Sequence, residues 1–498
     1  MNYSSIRRIM GLILQFEAGF LLLPCAAALI YRETEGLAYL AVAAVCAVLG
    51  TLLVYFNRND ETYYTKEGFV AVALSWIVLS VFGAAPFVLS GDVGSYTDAL
   101  FETISGFTTT GASALTSVED LSHASLMWRS FTHWVGGMGV IVFILAIMPM
   151  TGGYNMHLMK AESPGPSVGK LVPKIRQTAM ILYGIYFGMT VFECILLLIA
   201  GMSPFDALCL TFGTAGTGGF AVKNSGLFEY TYAQQGIITF FMIAFGVNFN
   251  FYYYLLLGKT WKAKKQAFRM SEVKAYLGII LFCILSIAWN IRGYFGSFFE
   301  ALHHSAFQVG SIITTTGYAT ADFNLWPQYS RNLLVLIMFI GACAGSTGGG
   351  MKVSRVLILL KSAKQEILHF IHPRRVSIIK LDGKAVDKET VRGVNVYLAA
   401  YMLIFVVSIV LITMFDQGSL ETIITAVVAT FNNIGPGLDA VGATGNYNAF
   451  LPVTKYILMF DMLAGRLELF PMLVIFVPSI WVPEKRRKGR AGRPGSAV

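Results

Sequence analysis

The chain has 498 residues, of which 55% are hydrophobic and only 13% are charged, and its formal net charge is +9. Soluble proteins carry about a quarter charged residues, so this composition excludes a disordered tail protein, a coiled coil and an ordinary cytosolic enzyme. Together with a mean hydropathy of +0.63, it indicates one polytopic membrane body.

Ten stretches of the chain are long and apolar enough to cross a membrane, which takes about 20 residues for a helix. The first follows Arg7 and Arg8 as a signal peptide would, but its apolar run is longer than that of a signal peptide, so it predicts an uncleaved anchor. In chain order the predicted spans are residues 10–31, 37–56, 69–89, 128–150, 179–202, 236–257, 275–291, 333–360, 396–414 and 456–481.

The distribution of Lys and Arg predicts which side of the membrane each loop faces. With a cytoplasmic N-terminus, 30 of the 37 basic residues fall on the cytoplasmic side and six on the other, while Arg466 remains inside the last span. Positively charged loops stay in the cytoplasm, so we expect both termini there. The basic excess therefore indicates topology and not nucleic-acid binding.

Four segments between alternate spans are too apolar for free loops and too short to cross the membrane. Each begins with a helix-compatible run of about three turns, opened by an acidic residue that suits the positive end of the helix dipole. Each then ends in a strip of small or polar residues. The acids are Asp98, Asp206, Glu300 and Glu421, and the strips are residues 108–113, 215–220, 314–320 and 432–437.

The four strips can be aligned on one glycine each: Gly111, Gly218, Gly317 and Gly435. Irregular backbone at membrane depth is tolerated only where protein buries it or where it lines water. A cation pathway needs carbonyl oxygens to replace the hydration shell of the ion, and glycine lets the backbone present them. The pattern predicts an all-α membrane protein in which four repeats of span, pore half-helix and span surround one pore, preceded by two further membrane helices.

The strips TTTGAS, TAGTGGF, TTTGYAT and NNIGPG resemble the filter strips of the Trk/Ktr/HKT potassium-transporter superfamily, and LAGRLELF around Arg466 resembles its last-span signature. The two additional N-terminal spans resemble its bacterial TrkH branch. The resemblance covers residues 69–481 and implies a potassium uptake subunit of the bacterial plasma membrane, with K⁺ as the transported ion. The ion-binding residues that it implies are Thr109, Thr110, Gly111, Thr217, Gly218, Thr315, Thr316, Gly317, Asn433, Ile434 and Gly435.

The repeats divide the chain into a two-helix membrane domain at residues 1–66 and pore repeats at 67–160, 161–265, 266–385 and 386–498, the last with a basic tail. The chain contains no soluble nucleotide-binding domain. The resemblance implies that one is supplied by a cytoplasmic TrkA-like regulatory subunit, which the basic loops 258–274 and 352–392 could dock. It also implies a homodimer.

The eighth span is too long for a plain membrane helix. Residues 331–360 would extend about 45 Å as a helix, against about 30 Å of hydrocarbon, and five glycines interrupt them near the middle. The resemblance implies an intramembrane gate below the filter. We therefore predict a gate that includes Gly345, Gly348, Gly349 and Gly350. The alternative is a kink for close helix packing.

Arg466 is the second predicted gate residue. A charged side chain inside a span is costly and suggests a function. Asp461 and Glu468 are poorly placed to pair with it, because residues two or five apart do not face each other on a helix. Its partners would then be carbonyls of the glycine loop, or it would form a cationic barrier in the pore. The alternative is a structural salt bridge.

Three classes of function remain. The leading one is a potassium-selective conduit. The second is a cation symporter coupled to Na⁺ or H⁺, which needs a titratable residue in the pathway, whereas the strips contain no acid. The third is an intramembrane enzyme, but no nucleophile–base pair or metal cluster is visible and the six cysteines lie singly. We expect no enzymatic activity and no organic cofactor.

Overall fold

The computed structural model describes residues 3–57, 65–139, 175–258, 260–374 and 378–481. Several predictions lie partly outside these ranges. They are the end of the fourth span, the boundary between the first two repeats near residue 160, most of the basic loop after it, and the basic tail. Within the described residues nearly all regular structure is helical, as predicted, and a small antiparallel hairpin pairs Lys380–Leu381 with Lys384–Ala385.

Six described helices are long and apolar enough to cross a membrane, and a bent pair makes a possible seventh. Each of the six covers one of the predicted spans. They are Tyr3–Tyr31, Gly36–Phe56, Glu67–Leu89, Gln177–Ile199, Ser271–Ile291 and Lys388–Phe415.

Each repeat contains a first helix, a buried pore helix and a second helix. The first helices of repeats 1 to 4 are Thr65–Leu89, Ile175–Ile199, Ser271–Ile291 and Lys388–Phe415. Pore helices 1 to 4 are Tyr96–Phe107, Pro204–Gly216, Phe298–Ile313 and Leu420–Phe431. The second helices are His123–Met138, Tyr232–Phe245, Gln328–Ile340 and Pro452–Arg466.

Two predicted straight spans are broken in the structure. The span predicted at 236–257 bends by 94° between Phe245 and Phe249 and ends in a π-helical turn, Tyr253–Leu257. The span predicted at 456–481 stops at Arg466 and continues as the short helices Phe470–Ile475 and Pro478–Trp481. Hydropathy along the chain does not report these breaks, because a window of about 20 residues averages the few polar residues at each break with the apolar residues around them.

The third break was predicted. The second helix of repeat 3 ends at Ile340, and the chain resumes as the helix Val353–Ile371 after residues 341–352, which we name the glycine loop. Five glycines in this segment remove the side chains that would stabilise a helix and raise the entropic cost of forming one.

The N-terminal helices, Tyr3–Phe20, Leu22–Tyr31 and Gly36–Phe56, pack against repeat 1. Within the membrane body, the hydroxyls of Tyr39 and Ser125 are 2.7 Å apart. Between the first two spans, the Glu33 carboxylate accepts the backbone N–H groups of His123, at 2.9 Å, and Ala124, at 3.1 Å. It therefore caps the second helix of repeat 1.

The pore helices begin as their acidic residues predicted, with Asp98, Asp206, Glu300 and Glu421 in the first turns. Three of these acids also reach the second helix of the preceding repeat. Asp98 accepts from Lys455 at 2.6 Å, Glu300 from Tyr232 at 3.4 Å, and Glu421 from Arg331. The acids thus connect repeat 4 to 1, 2 to 3 and 3 to 4.

Candidate filter and gate

All four pore helices end in the same backbone turn. One residue, the first or second after each helix, has a positive φ of 55° to 60°, and the N–H of the next residue bonds to the carbonyl five positions back at 2.8 Å. This is the Schellman arrangement, in which glycine is the usual left-handed residue. Here the left-handed residues are Thr109, Thr217, Thr315 and Asn433.

A side chain in the left-handed region costs about 1–2 kcal/mol relative to ordinary helical backbone. The same cost is accepted four times at equivalent, fully buried positions. Strained backbone persists only where the surroundings hold it, and it concentrates at functional sites. The four turns are therefore the first structural indication of where the function of this protein lies.

The turns also correct the predicted alignment of repeat 2. Gly218, aligned in the sequence with Gly111, makes the bond to Gly213 that Thr110 makes to Ser105. The positive φ of Gly111, 78°, is matched by Gly219, at 84°. The equivalent glycine of repeat 2 is therefore Gly219, and the prediction was wrong by one residue. Two adjacent glycines made both alignments compatible with the sequence.

The corrected strips form a closed ring. A Cβ atom placed on the glycine of any strip would lie less than 3.0 Å from a carbonyl oxygen of the next strip, a separation that real side chains do not show. The contacts run in cyclic order, from Gly111 to the Gly218 carbonyl, from Gly219 to that of Thr316, from Gly317 to that of Ile434, and from Gly435 to that of Thr110. Carbonyl oxygens and glycine Cα atoms therefore alternate around one centre.

Hydrogen bonds of buried side chains stabilise three of the four strips. The hydroxyls of Thr108 and Thr110 are 2.8 Å apart in repeat 1, and those of Thr314 and Thr316 are 2.7 Å apart in repeat 3. In repeat 4, the Asn433 amide donates to the Thr110 hydroxyl at 3.0 Å and to the Met462 carbonyl at 2.9 Å.

Repeat 1 contains a buried ion pair that was not predicted from the sequence and that reaches repeat 2. Glu102 on pore helix 1 and Arg129 on the next helix are buried, and the Nη2–Oε1 distance is 2.6 Å. Arg129 also donates to the Ala221 carbonyl at 3.2 Å, while the Glu102 carboxylate accepts from the Ser113 hydroxyl at 3.1 Å. Charge at this depth is stable only with partners, and this pair connects the ends of strips 1 and 2.

The glycine loop lies directly against the same turns. The Gly349 N–H donates to the Thr315 hydroxyl at 2.6 Å. A Cβ atom on Gly348 would lie 2.8 Å from the Thr314 carbonyl oxygen, and one on Gly349 would lie 2.5 Å from that of Asn432. Glycine is required at these two positions because the loop approaches the ends of pore helices 3 and 4 at backbone distance.

Glu272, at the start of the first helix of repeat 3, holds both ends of the loop. Its Oε1 accepts the backbone N–H groups of Ala344, at 2.6 Å, and Ser354, at 3.1 Å, and its Oε2 accepts from Asn248 at 3.3 Å. Asn248 lies in the bend of repeat 2, where the Phe249 N–H donates to the Gly345 carbonyl at 3.0 Å. No local sequence pattern identifies Glu272, because its loop partners are 72 or more positions away.

Arg466 contacts the loop, as one of the alternatives predicted. It donates to the carbonyl oxygens of Thr347 and Gly137, each at 2.8 Å, and to that of Gly136. The guanidinium therefore joins the glycine loop to the second helix of repeat 1. Glu468 is instead the partner of Arg355, which follows the loop.

A cleft lies against the glycine loop. Its walls include Gly345, Gly348, Gly349 and Gly350 together with Lys352 and Arg466. Lys352 is buried and donates to the Gly348 carbonyl. Two cations thus bind loop carbonyls: Lys352 stabilises the loop from within, and Arg466 connects it to the second helix of repeat 1.

The predicted site residues come together in two layers: the ring of strips and, against it, the glycine loop with Arg466. The described residues contain no group of three His, Cys, Asp or Glu side chains that could hold a metal ion. What the ring offers chemically is uncharged carbonyl and hydroxyl oxygen, the type of ligand that suits a weakly hydrated monovalent cation.

Comparison with known proteins gives a consistent result. The TrkH family model, described as a cation transport protein, matches residues 37–483. The chain is 38% identical over 488 residues to the "Trk system potassium uptake protein TrkH" of Salmonella typhimurium and 37% identical over 490 residues to that of Escherichia coli. Both alignments cover 97% of this chain and 100% of the relative.

A solved structure matches over the same extent. The crystal structure of the potassium transporter TrkH from Vibrio parahaemolyticus aligns with a TM-score of 0.86 at 33% identity. The alignment covers 97% of this chain and 100% of that chain. The breaks and pore helices described above therefore lie within an architecture known from an experimental structure.

Proposed function

Because this chain belongs to the TrkH family of cation transport proteins, we propose that it is the membrane subunit of a potassium uptake system and conducts K⁺ through the ring of four strips. The observation that carries the proposal is the cyclic contact of each strip glycine with a carbonyl of the next strip. A ring of backbone oxygens can replace the hydration shell of K⁺ without any chemical step. The transport requires neither enzymatic activity nor an organic cofactor.

The ion-binding residues would be those of the strips, with Gly219 added to the predicted set. The hydroxyls of Thr110 and Thr316 are occupied by neighbouring threonines, which leaves the backbone carbonyls as the available ligands. The negative ends of the four pore helices point toward the same centre and favour a cation there.

The glycine loop and Arg466 would form the gate. In the described structure the loop lies against the filter turns, and Arg466 joins it to repeat 1. A loop whose backbone is held by hydrogen bonds to a few side chains can move when those side chains release it. The charges of the buried Lys352 and the partly buried Arg466 would also repel K⁺ while the loop is closed.

A regulatory subunit could reach the gate through the hairpin at residues 380–385. The Asp382 carboxylate accepts the Ser271 N–H at 2.6 Å, next to Glu272, and Lys361 donates to the Lys380 carbonyl at 2.7 Å. The hairpin therefore contacts the helix that carries Glu272 and the helix that follows the loop. We propose that a TrkA-like nucleotide-binding subunit acts here. A homodimer is expected from the family resemblance.

The orientation would place both termini in the cytoplasm of a bacterium and the glycine loop on the cytoplasmic side of the filter, with the pore helices starting near the outer face of the inner membrane. An interior-negative potential then favours uptake by about 2.3 kcal/mol per charge and 100 mV.

Purified protein in planar bilayers, under opposing K⁺ and Na⁺ gradients, tests the function. We expect a reversal potential that follows K⁺ alone. Gly219→Ala should abolish this preference, whereas the matched control Gly188→Ala, whose added Cβ meets no atom within 4 Å, should retain it. Equal permeation of Na⁺ in the wild type would overturn the proposal, and a dependence of K⁺ flux on a Na⁺ or H⁺ gradient would replace it with a symporter.

A further inference from the structure

Repeat 2 is the one strip in which the position before the filter glycine has no side chain. The equivalents of Gly218 are Thr110, Thr316 and Ile434. The backbone does not require glycine there, because Gly218 has no positive φ, unlike Gly219. Something other than local conformation must therefore explain why this position is glycine.

The space of the missing side chain is filled by the ring of His133. A Cβ atom on Gly218 would overlap Cγ and Nδ1 of that imidazole and lie 2.6 Å from Cδ2. His133 belongs to the second helix of repeat 1 and is completely buried. A side chain from one repeat thus occupies the position that the strip of the next repeat leaves empty.

The ring also makes two directional hydrogen bonds. Nδ1 lies 2.8 Å from the carbonyl oxygen of Gly106, near the end of pore helix 1, and Nε2 lies 3.2 Å from the backbone nitrogen of Phe220 in strip 2. A carbonyl can only accept, and a backbone N–H can only donate. The contacts therefore require one neutral tautomer, with the proton on Nδ1.

Phe220 is held on its other side as well. Its ring centroid is 4.3 Å from that of His133, and the Arg129 guanidinium lies 4.1 Å from the Phe220 ring centroid. Strip 2 is therefore attached to repeat 1 through residues immediately after Gly219. In repeats 1 and 3 the corresponding support comes from a threonine of the strip itself.

We propose that His133 is a positioning residue that determines selectivity: it replaces the missing side chain of Gly218 and fixes the carbonyl that Gly218 contributes to the ring. This inference rests on the proposed function, since it assigns a role within the same filter. Two consequences follow. The position of the carbonyl depends on a hydrogen-bond relay through the imidazole, and a side chain fits at residue 218 only when a smaller residue replaces His133.

The test measures the ratio of K⁺ to Na⁺ permeability in planar bilayers for His133→Leu, His133→Gln and the wild type. His133→Leu fills the space without the hydrogen bonds and should lower the ratio about tenfold while ions still pass. His133→Gln should retain most of the ratio, because its amide can donate to the Gly106 carbonyl and accept from the Phe220 N–H.

A second comparison keeps the inference falsifiable if His133→Leu does not fold. Gly218→Ala alone should lose selectivity, because its methyl group overlaps the imidazole. Adding His133→Ala removes the overlap, so the double variant should be no worse than His133→Ala alone. Gly188→Ala serves as the control for a harmless added methyl group.

The outcomes separate the two proposals. A wild type without K⁺ preference defeats the proposed function itself. A selective wild type whose His133→Leu variant is equally selective overturns the role of His133. Loss of selectivity in both His133→Leu and His133→Gln also overturns it, because the hydrogen bonds would then not be what matters. Effects of Gly218→Ala and His133→Ala that simply multiply would show that the two positions act independently.

Discussion

Gly219 in the filter and Gly345 in the glycine loop have similar backbone angles and different surroundings. Their φ values are 84° and 67°. A Cβ atom on Gly219 would overlap the Thr316 carbonyl oxygen, whereas the nearest atom to one on Gly345 is Oδ1 of Asn248, at 3.6 Å. A neighbouring repeat thus excludes any side chain at Gly219, whereas at Gly345 only the positive φ favours glycine.

This difference separates a part of the molecule that cannot rearrange from a part that can. Moving one filter carbonyl displaces the glycine of the adjacent strip, so the four strips hold one another in place. The loop is attached at separate points by Glu272, Arg466 and the Thr315 hydroxyl. Each attachment can be removed individually, which makes the comparison testable.

The largest effect is expected in the ring. Gly111→Ser and Gly219→Ala each put a side chain against a carbonyl of the next strip, and we expect the K⁺ over Na⁺ permeability ratio to fall by about a hundredfold. Growth of a potassium-uptake-deficient strain with increasing Na⁺ measures it. Undiminished K⁺ preference in well-folded variants at all four glycines would contradict the filter assignment.

The next effect concerns Arg466. Arg466→Gln removes the charge and most donors that join the loop to repeat 1, so K⁺ flux into proteoliposomes should rise about tenfold and depend less on a regulatory subunit. The matched control is Arg331→Gln, which breaks an ion pair at the start of pore helix 4 instead. If folded Arg466→Gln conducts no faster than the wild type, the loop is only a packing kink.

A smaller effect is expected at Glu272. Glu272→Gln replaces a carboxylate, whose two oxygens accept three N–H groups, with an amide that has one acceptor oxygen. The variant should therefore raise K⁺ flux about threefold and lower the free energy of unfolding by about 1 kcal/mol. Thermal unfolding in detergent and liposome flux measure the two quantities. Glu366→Gln, on an exposed part of the helix after the loop, is the control. Identical results for both variants would exclude a tether at Glu272.

Gly345→Ala should have the smallest effect. The added methyl group has room, but alanine in a left-handed conformation costs about 1 kcal/mol, so the variant should be slightly less stable and conduct within about twofold of the wild type. A loss of selectivity comparable to that of Gly219→Ala would show that loop and filter glycines are not distinct.

Several features could be predicted because they depend on short stretches of sequence. The acid at the start of each pore helix, the strip after it and the break between Ile340 and Val353 follow from helix propensity and hydropathy. The bend between Phe245 and Phe249 could not be predicted in this way, because a window of about 20 residues averages its few polar residues with the apolar residues around them. The alignment of repeat 2 also failed, since either of two adjacent glycines satisfied the pattern.

By itself, then, the sequence determined the spans, the four half-helices with their strips, and the break in the eighth span, because hydropathy and backbone propensity act within about 20 residues. Only the tertiary structure decided which glycine of repeat 2 joins the ring, that His133 fills the place of a filter side chain, and which carbonyls bind Arg466. These features depend on contacts between residues far apart in the chain, such as Asn433 and Thr110, 323 positions apart. No local pattern encodes such a distance, because it arises only when four separate segments close around one centre.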